Sequence, residues 1–152
     1  MQFISHHRSP SVDSTQVGYW LNLTRAIRSD LGIADAVAKG LTVRAVEPMA
    51  KLLGRELIVG PNALLSRATF DRKTKEDKPL SKDTSETLYA MARVLSALSR
   101  VYHEDQDAIL RFMKGPHPLL EGRTPYEVAR SSIAGAEVVL RLIDRLDAGI
   151  AA

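Results

Sequence analysis

Apolar residues recur at helical spacing through most of this chain, and the pattern is sharpest in its last third. Thr124, Pro125, Tyr126 and Glu127 join an N-cap hydroxyl, a proline at the first helical position and a glutamate three residues after the cap. A helix is predicted to start there. A second follows Ser131 or Ser132, with Ile133, Ala136, Val139, Leu140, Ile143 and Leu146 on one stripe and Gly149 placed to end it in a left-handed conformation. Two short helices packed only on each other leave apolar surface uncovered, so the surplus must face the rest of the chain or a partner.

Upstream, Leu88, Met91, Leu95, Leu98 and Tyr102 repeat at alternating spacings of three and four, widened by Val94 and Val101. They predict the longest helix, capped by Ser81 or Asp83 and reaching about His103, on the order of 33 Å. Its seam suits either a central core helix or a homodimer interface. His103 at its end reads as a partner for the helix dipole. A further helix over Asp105 to Gly115 rests on Ile109, Phe112 and Met113, and Pro116 to Pro118 predict an extended link.

In the first half, Val17, Trp20, Leu21 and Ile27, with Leu23 at the margin, give a stripe over Thr15 to Ser29. Asp30 to Gly40 reads as a short helix around Ile33 and Val37. Thr42 to Gly54 reads as another on Val43, Val46, Met49, Leu52 and Leu53, with Pro48 forcing either a late start near Ala45 or a break. Gly60 and Pro61 interrupt the chain and open a short helical turn through Leu65. Ser66 caps a helix to Glu76, anchored by Ala68 and Phe70, with Leu65 beside them; Arg67, Thr69, Arg72, Lys73 and Lys75 are expected to project outward. Met1 to Ser14, rich in Ser, His and Pro, reads as a flexible tail.

Composition agrees with an all-α chain: 45% of residues are hydrophobic but only 5% aromatic. Cysteine is absent, which excludes disulfides, thiolate metal sites and a cysteine nucleophile. Neither an apolar run of membrane-spanning length nor a secretory signal is present, so a soluble, cytoplasmic protein is expected. The net charge of +3 permits a nucleic-acid partner without demanding one. From Arg67 to Lys75, however, four basic residues face one acid, a local excess equal to that of the whole chain. Such a stripe fits a recognition helix in a major groove, and equally a solvated basic helix. His6 and His7 lack a second ligand pair for a metal, and no catalytic motif or cofactor-binding loop is found. Glu137, Asp144 and Asp147 alternate with Arg141 and Arg145, which predicts ion pairs along the outer face of the last helix.

The run Leu120, Gly122, Arg123, Thr124, Pro125, then Gly135 and Ala136, then Gly149 and Ile150 resembles the toxin-binding domain of the Xre/MbcA/ParS family of bacterial antitoxins. The resemblance extends more weakly upstream to about Gly40. It implies a helical bundle in three parts: a tail over 1–14, an Xre-like helix-turn-helix region over 15–80, and a long connecting helix with a toxin-binding domain over 81–152. It implies neutralisation of a RES-domain, NAD-consuming toxin by direct binding, through Leu120, Gly122, Arg123, Thr124, Pro125, Gly149 and Ile150, with the end of the chain near the toxin's active site; Arg141 and Arg145 are expected to add charge that orients the toxin. It further implies a homodimer that autoregulates its operon through operator DNA, contacted by Ser66, Arg67, Thr69, Arg72, Lys73 and Lys75. Leu64 and Leu65 stand before Ser66 where that family places a glycine in the turn. Two alternatives are a stand-alone helix-turn-helix regulator and a helical adaptor.

Overall fold

The computed structural model describes residues 13–149. These form nine α-helices: α1 Ser14–Trp20, α2 Asp30–Lys39, α3 Glu47–Leu53, α4 Arg55–Ile58, α5 Arg67–Glu76, α6 Lys82–Val101, α7 Gln106–Lys114, α8 Pro125–Ser131 and α9 Ile133–Asp147. Single 3-10 turns lie at Arg25–Ile27, Val43–Val46 and Pro118–Leu120. The only β pairing among the described residues is one bridge between Val59 and Leu65, so the fold is all-α.

The packing centres on α6. Ser81 caps it by accepting from the Thr84 N–H at 3.1 Å, and Leu88, Met91, Val94, Leu95 and Leu98 are completely buried. α1, α2, α7, α8 and α9 all lie against it, so the long seam is committed to the core of this chain. Small residues on its other faces, Ala90, Ala92, Ser96 and Ser99, are buried too, which lets α1 and α9 approach closely. One hydrophobic cluster runs from Val17 in α1 to Ile143 in α9.

Capping chemistry forms most helix starts where expected. Asp105 caps α7, Ser66 caps α5 and Ser29 caps α2, each accepting a backbone N–H. Pro48 lies in the first turn of α3, after the 3-10 turn Val43–Val46, where its missing N–H breaks no helical bond. The α-helix starts late, at Glu47, rather than being broken inside.

Four expectations are corrected. The stripe from Thr15 to Ser29 is not one helix: α1 ends at Trp20, and Asn22 turns to φ 56°, its side chain donating to the Arg44 carbonyl at 2.9 Å. Ile27 falls in a separate turn and is exposed. Asp13 and Ser14 do not belong to a tail, since they cap and begin α1. The segment after Gly60 is a loop rather than a helical turn, closed by Leu65 N–H to the Ile58 carbonyl and Gly60 N–H to the Leu65 carbonyl, both 2.9 Å. The chain is extended only through His117, and Pro118 starts a 3-10 turn. His103 stands past the end of α6 at φ 51°, where the Glu104 N–H closes the helix on the Ser99 carbonyl at 2.8 Å.

Backbone and side-chain bonds join the two halves. The Leu80 N–H donates to the Leu41 carbonyl, and the Leu41 N–H to the buried Ser85 hydroxyl, both at 2.8 Å. Further along, the buried Tyr126 of α8 donates its hydroxyl to the Leu57 carbonyl of α4. Burial pushes the Tyr126 phenol up to about 12, with the nearby Arg130 charge acting the other way. In the unfolded chain the phenol ionises near its ordinary value of 10. The stability it contributes is therefore complete below pH 10 and lost as pH rises toward 12. Tyr126→Phe should cost about 1 kcal/mol near neutral pH, because the Leu57 carbonyl loses its donor. Urea titrations at pH 8 and pH 11 should then show a smaller alkaline loss in the variant than in the parent; equal losses would assign the alkaline sensitivity to other groups.

Candidate partner-binding helices and basic helix

The C-terminal unit is assembled from a locked loop and a helical hairpin. In the loop, His117 is the organiser: its carbonyl accepts from the N–H groups of Leu120 and Gly122 at 3.0 and 3.1 Å, and its own N–H donates to the Arg123 carbonyl at 3.1 Å. Its ring Nδ1 accepts from the Leu119 N–H at 3.1 Å, which caps the 3-10 turn. Gly122 sits at φ 81° with open space around its Cα, so the conformation alone favours glycine there. Thr124 and Glu127 then form a reciprocal capping box, each side chain accepting the other's backbone N–H at 3.1 and 3.2 Å.

α8 and α9 meet through Ser132, whose hydroxyl caps α9 by accepting from the Gly135 N–H at 2.9 Å. A Cβ on Gly135 would stand 2.1 Å from the Val128 carbonyl oxygen. The Gly135–Ala136 pair is therefore what lets the two helices touch backbone to backbone. Gly149 follows α9 at φ 72°, in the left-handed conformation expected of a terminal cap.

α9 buries Ala136, Val139, Leu140, Leu142 and Ile143 against α6 and α8. Ile133, expected on that stripe, is 50% exposed, because it opens the helix before its neighbours cover it. The outer face carries Ala134, Val138, Arg141 and Arg145 at spacings of four, three and four, all exposed. The acidic partners are not those the sequence pattern implied. Glu137 pairs across to Arg93 of α6 at 2.5 Å, and Asp147 to Arg100 of α6 at 3.5 Å. Arg141 and Arg145 make no ion pair among the described residues. The acids clamp α9 to α6, and the arginines face outward.

Of the candidate toxin-binding residues, Gly122, Arg123, Arg141, Arg145 and Gly149 are exposed, whereas Leu120 and Pro125 are buried and hold the loop from within. Thr124 is half-buried in its capping role, and Ile150 lies outside the described residues. Exposed Leu119 and Val138 were missed. Each is an apolar residue whose surroundings only the fold decides.

The basic helix α5 buries no residue; Phe70 anchors it, with the Arg55 guanidinium 5.2 Å from its ring centre. Arg67, Arg72 and Lys75 project into solvent along with Ser66. Thr69 and Lys73, expected outward, are half-buried, and Ala68, expected as an anchor, is exposed. Leu65 is buried and paired with Val59, so a leucine serves this turn by filling the core.

Residues 97–149 match the family model described as the antitoxin Xre/MbcA/ParS C-terminal toxin-binding domain. The match runs from the end of α6 through α9 and supports a toxin-binding antitoxin. A search of curated proteins found no match.

The close contact at Gly135 makes a direct test of the hairpin. Gly135→Ala should destabilise the protein by about 1–3 kcal/mol, since a backbone oxygen cannot move aside as a flexible side chain can. A melting curve indistinguishable from the parent's would show that α8 and α9 separate without cost.

Proposed function

We propose that this chain is the antitoxin of a toxin–antitoxin pair and neutralises its toxin through the exposed face of α9 and the adjoining loop of residues 117–123. The observation that carries this reading is the match at residues 97–149, which includes both the loop of residues 117–123 and the outer face of α9. Ala134 and Val138 offer an apolar start to the face, and Arg141 and Arg145 a cationic end, so the partner surface is apolar with an acidic rim. The structural residues fit the same purpose. The capping box, Gly135 and the two bridges to α6 hold α9 in one orientation before binding, which limits the ordering cost of association. By the family resemblance the toxin is a RES-domain enzyme acting on NAD, the chain end beyond Gly149 reaches toward its active site, and the protein acts in the cytoplasm without catalytic activity of its own.

A second role, autoregulation by a homodimer on operator DNA, rests on the exposed Arg67, Arg72 and Lys75 of α5. Those residues also favour the alternative of a regulator that works without a toxin. The two readings part on the last helix.

Co-expression with the product of the neighbouring reading frame tests the principal reading: growth should be rescued and the two chains should co-purify. Arg141→Glu combined with Arg145→Glu should lower affinity for the toxin at least about tenfold while leaving the melting temperature within a few degrees. Truncation after Leu146 should likewise impair rescue, and full protection by the truncated chain would remove the chain end from the mechanism. Absence of both rescue and co-purification would overturn the antitoxin reading. Arg67→Ala with Arg72→Ala should weaken operator binding, reduce its salt dependence by roughly two contacts, and spare neutralisation; equal loss of both activities would make α5 structural.

A further inference from the structure

A cavity of about 430 Å³ opens at the junction of α1, α6 and α9, within the roughly 300–1,000 Å³ of ordinary small-molecule sites. Val17, Ala97 and Leu140 give it an apolar floor. Arg93, Arg100 and Ser96 line it from α6, with His103 beyond the helix end. Ser96 is buried, yet its hydroxyl has no hydrogen-bond partner among the described residues. Two carboxylates also line the cavity and bring negative charge: Asp13 accepts from the Thr15 and Gln16 N–H groups, and Glu104 from the Gln16 side chain at 3.1 Å, so an anion is held by the arginines against them.

The arginines are only partly engaged. Arg93 uses one terminal nitrogen on Glu137 and Arg100 one on Asp147, while a guanidinium carries five N–H donors. The cavity thus presents spare cationic donors and an unpaired hydroxyl above an apolar floor. We propose that it binds a small amphipathic organic anion, a carboxylate or phosphate monoester on an apolar body, which competes with Glu137 and Asp147 for Arg93 and Arg100. These two ion pairs set the position of α9 along α6, so the ligand releases that constraint on the helix that carries the outward arginines. That consequence for partner binding rests on the antitoxin reading. Ligand binding does not, and it is tested without any partner.

The full chain is titrated with 1-naphthoate and with 1-naphthyl phosphate, following the amide NMR signals of Ser96, Ala97 and Leu140. Saturable shifts at these positions are expected, and the tighter probe identifies the acidic group. Ala97→Leu, which fills the floor without touching charge, should abolish binding, and Arg100→Gln should weaken it about tenfold. Glu137→Gln frees Arg93 and should tighten binding roughly two- to tenfold. A cavity that merely requires intact packing would lose affinity instead, and that result overturns the proposal. So does absence of saturable shifts, or binding indifferent to Ala97→Leu. Binding seen only after removal of residues 1–12 would mean that the chain fills its own cavity, and the ligand site falls with it.

Discussion

Burial of α6 on almost every side is the constraint on which the rest of the structure depends. A helix whose Leu88, Met91, Val94, Leu95 and Leu98 are wholly enclosed must be covered by neighbours, and α1, α2, α7, α8 and α9 supply that cover. Removing roughly 25 cal/mol of unfavourable hydration for each Å² of apolar surface, that contact outweighs any single polar bond in the molecule. The small residues Ala90, Ala92, Ser96 and Ser99 matter in the opposite way. They leave room, so the covering helices come close without strain.

The polar interactions choose among arrangements that hydrophobic burial alone would permit. Arg93 to Glu137 and Arg100 to Asp147 set the position of α9 along α6, two ion pairs seven and ten residues apart on their respective helices. Being partly exposed, such pairs contribute little stability; their effect is to select a register. Tyr126 to Leu57 does the same between α8 and α4. Because Glu137 and Asp147 are drawn to α6, Arg141 and Arg145 are left to face solvent, and a helix with three acids and two arginines acquires a cationic outer face.

That division separates residues that present a surface from residues that hold it. Leu120, Pro125, Gly135 and His117 act through the geometry of the loop and hairpin, whereas Arg141, Arg145, Val138 and Leu119 are available to a partner. The motif shared with the antitoxin domain family contains both kinds. Its glycines are explained by a left-handed turn at Gly122 and by the Val128 carbonyl lying against Gly135.

Helix existence was legible in the sequence because caps act locally. Ser66, Ser81, Asp105, Thr124 and Ser132 each satisfy an N–H within three residues, and the Thr124–Pro125–Glu127 combination and the α6 seam carried enough information to place their helices. The residues of the C-terminal motif carried the family resemblance in the same way. What lay beyond reach depends on partners distant in the chain. The break after Trp20 answers to the Arg44 carbonyl, the loop before Ser66 to the pairing of Val59 with Leu65, and the exposure of Ile133 to where α8 ends. Spacing along α9 could propose which charges are neighbours on one helix, but arginines from α6 compete for the same acids, and only the folded arrangement decides which of them is nearer.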